Sequence, residues 1–319
     1  MVVWLVLLTQ GRSQAAYAQA YPNHPITIVV PYPAGGVLDV VGRLLADGLS
    51  ARFNQAVIVV NRVGGGGSTG IGEVVRANPD GYTLLMANDG SHAILPFVDP
   101  GFRFDPIRDF VPVAMPAEYA HALLINKKTP VTTLSEFVAY ARSKPDHLTF
   151  GTPGFGSLAH VAMELFMQQT GTKMLHVPYK GAAPALTDLL AGVITSNLQS
   201  MSGVIGQTGN PNIRILAVTS PQRVAALPDV PTMVESGLPE MVAMSWLGVL
   251  APAELPSSIR DMLSKAIIEV AGSAGTVAKL RSLGLEPARL ETDAFAGFYR
   301  SQVEKWKLVV AERNIRIQN

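Results

Sequence analysis

The 319-residue chain is 48% hydrophobic and 15% charged, balances 25 lysines and arginines against 24 aspartates and glutamates, and holds no cysteine. That composition implies a packed globular protein, and the length exceeds what one core usually spans, so two domains are expected. Disulfides, thiolate metal sites and cysteine catalysis are excluded, and without a basic stripe or aromatic-basic interleaving nothing points to a nucleic-acid partner.

Residues 2–8 form an apolar run, and Ala16-Tyr17-Ala18 and Ala18-Gln19-Ala20 are small-x-small cleavage patterns. Residues 1–20 therefore read as an export signal cleaved near Ala20, lacking the usual basic n-region as a late-assigned start would leave it. A loose apolar tail is the other reading. No later stretch reaches the ~20 apolar residues of a membrane span.

The segment Ile26-Thr27-Ile28-Val29-Val30, bounded by Pro25 and Pro31, reads as a buried strand. Leu38, Val41, Leu44, Leu45 and Leu49 then recur at helical spacing. Between them Gly35 and Gly36 leave backbone N–H groups uncovered at a helix N-terminus, where the dipole favours an anion. The chain continues with a strand at 57–61, a glycine run at 64–70 leading into a helix, a turn at 78–81, and a strand at 82–87 that ends at Asn88-Asp89-Gly90-Ser91-His92. Such alternation argues for a parallel α/β sheet, with ligands outside the carboxyl ends of the strands.

A proline-rich connection over 96–112 leads to a strand at 122–125. The next helix starts after Thr133, with Glu136 placed for a capping box. The opening design then repeats, with a strand at 148–150, a glycine turn at 151–157 and a helix at 158–170. A strand reaching Val177-Pro178-Tyr179, a helix at 182–191, a strand at 213–219 and helices near 257–272, 274–283 and 292–312 complete the chain. The expected architecture is α/β and two-lobed, each lobe a mostly parallel sheet flanked by helices. Residues 21–121 with 243–319 would form one lobe and 122–242 the other, joined by two crossovers.

The run Gly64-Gly65-Gly66-Gly67 has no lysine after it, so it is not a phosphate loop, and no acidic residue follows at dinucleotide-site spacing. It reads as a turn that lets its helix approach a ligand or a neighbour. Ser157 lies outside the Gly-x-Ser-x-Gly elbow; His160 shares its helical face, but no orienting carboxylate is evident. Ser157 fits better as an N-cap or as a hydroxyl donor to an anion. The six histidines show no metal-pair spacing, and His92 and His160 follow glycine loops at positions that suit either a cleft wall or a cap. Asp39 falls in a first helical turn, where its charge suits the dipole, with a ligand-facing role as the alternative.

These residues also carry a resemblance. Pro31-Tyr32-Pro33-Ala34-Gly35-Gly36-x-x-Asp39 with Gly42-Arg43, then Asn61-Arg62-x-Gly64-x-Gly66-Gly67, Asn78-Pro79-Asp80-Gly81-Tyr82-Thr83-Leu84 and His176-Val177-Pro178-Tyr179-Lys180-Gly181, are similar to motifs of the Bug-type (TctC-like) solute receptors. Leu227-Pro228-Asp229-Val230-Pro231-Thr232 and the Trp246 segment follow in the same order.

The resemblance implies a periplasmic binding protein of the type II-like, flytrap design that serves a tripartite tricarboxylate transporter. It would capture a small organic anion (a di- or tricarboxylate, an aromatic acid or an acidic amino acid) and pass it to membrane permease subunits. It would work as a monomer, with no cofactor, metal or catalytic residue. Carried over, the ligand contacts are Tyr32, Ala34, Gly35, Gly36 and Asp39 from the first turn, and Thr152, Gly154, Phe155, Gly156, Ser157 and His160 from the second. Asn88, Ser91 and Tyr179 support them. Thr195 stands where the family commonly has aspartate, which removes a charge near the second lobe's cleft edge. An enzyme using Ser157 or His160, and a ligand sensor, are the alternatives on the same scaffold.

Overall fold

The computed structural model describes residues 21–316; the expected export segment at 1–20 lies outside the described residues. The elements in chain order are β1 (Ile26–Val30), α1 (Val37–Phe53), β2 (Val57–Asn61), α2 (Ser68–Val75), β3 (Thr83–Asn88), α3 (Leu95–Val98), β4 (Phe110–Tyr119) and β5 (His121–Asn126). They continue with α4 (Leu134–Ser143), β6 (Thr149–Thr152), α5 (Leu158–Thr170), β7 (Leu175–Pro178), α6 (Ala182–Ala191), β8 (Ser196–Ser200), α7 (Met201–Ile205) and β9 (Ile213–Val218). The last are β10 (Ser245–Pro252), α8 (Ser257–Ala271), α9 (Ala274–Ser282), β11 (Glu286–Leu290) and α10 (Thr292–Glu312).

Two mixed sheets result, ordered β11-β4-β10-β3-β1-β2 and β7-β6-β8-β5-β9. In the first, β1 is parallel to β2 and β3, whereas β10 runs against both β3 and β4, and β11 against β4. In the second, β6 is parallel to β7 and β8, and β5 runs against β8 and β9. Strand direction is therefore mostly shared within each sheet. The reversals at β5 and β10 fall where the chain arrives from the other sheet. A single residue, Ala120, separates β4 from β5, and residues 219–244 link β9 back to β10.

The helices form for the reasons their sequences carry. Thr133 accepts from the Glu136 N–H while the Glu136 carboxylate reaches back to the Thr133 N–H, the reciprocal cap at the start of α4. The α1 face Leu38, Val41, Leu45 and Leu49 is buried with Ile26, Ile28 and Leu84 of the first sheet. Four strands were not foreseen. Pro112 and Pro116 hid β4, which tolerates them at irregular register on β10. The polar run Ser-Asn-Leu-Gln-Ser hid β8, although Ser196, Asn197 and Gln199 are buried in mid-sheet. No strand was expected for the Trp246 segment either, which forms β10, and β11 is a short edge strand.

One apolar cluster spans both sheets, from Val29 and Leu85 through Trp246, Phe295 and Tyr299 to Phe150 and Phe166. The α10 rings Phe295 and Tyr299 meet Trp246 edge-on at 5.8 and 5.6 Å. At its far end α10 is tied to α5 by Arg313 Nη2 on Glu164 Oε2 at 2.7 Å.

Candidate functional site

Where the two sheets face each other a cavity of about 410 Å³ opens, within the range of small-molecule sites. One wall is the turn 153–157 between β6 and α5, continued by Leu158 and Ala159 in the first turn of that helix. Ser157 is the N-cap: its hydroxyl accepts from the His160 N–H at 3.3 Å and donates to the Gly154 carbonyl at 2.7 Å. The wall is therefore the positive end of a thirteen-residue helix, whose first N–H groups have no partner within the helix.

The turn is braced from behind. The Gly156 N–H donates to His160 Nδ1 at 3.2 Å, and Thr152 Oγ1 lies 2.7 Å from His176 Nε2. The imidazoles of His160 and His176 stack at 3.9 Å, with the Phe155 ring 4.5 Å from His160. Burial, with the neighbouring His176 ring, lowers His160 to about 3, and burial lowers His176 to about 4, so both are neutral at physiological pH. The Tyr179 N–H holds the Thr152 carbonyl at 3.0 Å.

The opposite wall brings together Tyr32, Gly66, Asn88, Asp89, Tyr119 and Ser245, while His121 and Ser200 come from the second sheet. Ser91 supports Asn88 from the core side: its N–H donates to Asn88 Oδ1 at 2.9 Å and its hydroxyl to the Asn88 carbonyl at 3.1 Å. Among the described residues that line the cavity, none is lysine or arginine. No group of three or more His, Cys, Asp or Glu among the described residues could hold a metal ion.

The family model for the tripartite tricarboxylate transporter family receptor matches residues 41–315. The chain belongs to that receptor family. It is 33% identical over 318 residues to Protein BugT of Bordetella pertussis, covering 99% of this chain and 98% of that one. Among solved structures it is similar to an R. palustris protein with adipate, at 32% identity and TM-score 0.81 over 93% of this chain and 99% of that one. It is likewise similar to MatC from Rhodopseudomonas palustris with bound malate, at 29% identity and TM-score 0.77 over 91% and 100% of the two chains.

Of the residues singled out from the receptor's sequence, Tyr32, Asn88, Gly154, Phe155, Gly156 and Ser157 line the cavity. Ala34, Gly35, Gly36 and Asp39 do not: the first glycine turn is engaged with itself. The Gly35 N–H donates to Asp39 Oδ2 at 2.9 Å, and Arg43 and Asn61 take the remaining carboxylate positions. Arg43 chiefly, with Gly35 and Asn61, holds the Asp39 carboxyl down at about 2 despite its burial. Asp39 thus anchors the start of α1. Ser91, Thr152, His160 and Tyr179 stand behind the lining as supports.

Thr195 is elsewhere. It precedes β8 at the end opposite the lining residue Ser200, and its N–H donates to Thr149 Oγ1 at 3.0 Å. His92 turns into the core against Phe110. Ser157 and His160 do not pair side chain to side chain here: the Ser157 hydroxyl donates to the Gly154 carbonyl, and His160 Nδ1 accepts from the Gly156 N–H. The sequence reading missed Asp89, Tyr119, His121, Ser200 and Ser245. A carboxyl at the carboxyl end of β3 was the available signal for Asp89, whereas Tyr119 and Ser245 come together only through the pairing of β4 with β10.

Proposed function

We propose that this cavity captures a small carboxylate in the periplasm and that the receptor delivers it, without catalysis, to the permease of a tripartite transporter. The observation that carries the reading is the wall made by the turn 153–157 and the first turn of α5: backbone N–H groups at a helix N-terminus, in a cavity whose described lining holds no lysine or arginine. One carboxylate fits there; main-chain recognition asks little of the rest of the molecule. Relatives solved with adipate and malate support the ligand class.

In this reading the two sheets with their helices are lobes, divided at residues 21–121 with 243–319 and 122–242, that close on the ligand in a monomer. The contact residues are those lining the cavity from both sides, with Ser157, Tyr32 and Asn88 foremost among the polar side chains. The test is a thermal-shift screen over di- and tricarboxylates, aromatic acids and acidic amino acids. A ligand at a hundred times its dissociation constant adds about 2.7 kcal/mol of stability. Silence across all these classes would refute the reading.

A further inference from the structure

Asp89 is the single acidic residue among the described lining residues, in a cavity whose opposite wall suits an anion. It follows β3 and is 2% exposed. The Ser245 side chain and the backbone at Gly90 and Trp246 favour its charged form, but burial outweighs them and raises the carboxyl to about 7. Its Oδ1 has no hydrogen-bond partner within the protein. The groups around it are the Tyr32 and Tyr119 phenols, both pushed up, first by burial and then by Asp89 itself. Nearby on the lining, His121 is held neutral by burial, and its Nδ1 likewise lacks a partner. No cation among the lining residues answers this carboxyl. An unpaired acceptor in such a place is costly unless something else supplies the donor.

We propose that Asp89 is the selectivity contact of the site and that the ligand is a carboxylic acid bearing a hydrogen-bond donor, ammonium or hydroxyl, remote from its captured carboxylate. The assignment rests on the carboxylate reading above. With one carboxylate at the α5 terminus, a second carboxylate reaching across would meet the Asp89 carboxylate, a like-charge approach that disfavours ionisation of both. A donor there satisfies Oδ1, and a charged donor makes the stronger bond. The simple dicarboxylates are thus the class this cavity selects against.

The experiment takes the acid giving the largest thermal shift. By calorimetry at about pH 8, above the Asp89 titration, it compares forms of the same carbon skeleton carrying hydrogen, hydroxyl, ammonium or a second carboxylate at the remote position. A donor-bearing form should bind about tenfold or more tighter than both the unsubstituted acid and the diacid, and Asp89→Ala should remove that preference. The ranking in the unmodified protein needs no variant, so a poorly folded Asp89→Ala leaves the test standing. A diacid that binds tightest, and tighter still as pH falls through 7, would mean that a protonated Asp89 donates to it, which overturns the proposal. A flat ranking among forms that all bind removes the Asp89 assignment alone, whereas silence in the original screen removes the carboxylate reading itself.

Discussion

Replacing Gly156 by alanine tests whether the two walls of the cavity meet where the geometry puts them. Gly156 has φ +71°, and a Cβ built there lies 2.9 Å from Val98 Cγ2, a buried residue of α3 packed with the first sheet. Gly35 is the internal control: φ is +83°, and its Cβ would meet nothing within 4 Å. The left-handed backbone costs an L-residue about 1–2 kcal/mol, and a stiffer unfolded chain returns about 0.4–1 kcal/mol. Gly35→Ala should therefore destabilise by about 1 kcal/mol. Gly156→Ala adds crowding against a stiff β-branched side chain, about 1–3 kcal/mol more.

Urea unfolding followed by circular dichroism measures both variants. Val98→Ala completes a cycle, since the new methyl group at 156 partly fills the space that Val98 vacates. The Gly156/Val98 pair should couple by about 1 kcal/mol, while the Gly35/Val98 pair should add within about 0.3–0.5 kcal/mol. Equal costs for the two glycines, or additivity at Gly156/Val98, would refute the close approach.

Three further outcomes follow from the sites described. The Asp39 carboxyl is held below its unfolded value, so its contribution is present above about pH 4 and lost as pH falls towards 2. Discounted for solvent around the half-exposed Arg43, it is about 1 kcal/mol, and Asp39→Asn should flatten the urea-midpoint profile over that window. His160 and His176 are held below their unfolded values, so the stability they give is complete above about pH 6.5 and declines as the unfolded chain takes up protons below it; their ring C–H signals should stay flat down to about pH 5. Thr133→Ala, which breaks the cap of α4, should cost about 1 kcal/mol by urea unfolding without changing ligand affinity.

The α/β alternation and the Thr133–Glu136 cap were legible because each is written in local spacing. So was the turn at 153–157, whose glycines and N-capping serine announce a helix start. What escaped depends on which partner the fold brings to each group, whether a few residues on or far along the chain. The first glycine turn has the same local features as the second, yet Asp39, four residues on, uses the Gly35 N–H that an anion would need. The louder run at 64–67, argued down as a phosphate loop, supplies Gly66 to the lining instead. Local spacing names a turn able to present N–H groups; only the fold shows whether they are already taken. Asp89 was passed over for a similar reason, since nothing adjacent to it in the chain reveals that Tyr32, Tyr119 and Ser245 surround it.

Ala120 alone stands between β4 and β5, and the residues on either side of it, Tyr119 and His121, both line the cavity. If the lobes proposed above close about this crossing, an occupant would lean on the crossing as well as on both walls. Its bulk would then set an angle: a longer acid should prop the proposed lobes wider, and a shorter one should let them draw in. The permease would then be offered a face whose shape records what is being carried, and small-angle scattering with acids of graded length would register that dial turning, or find it fixed.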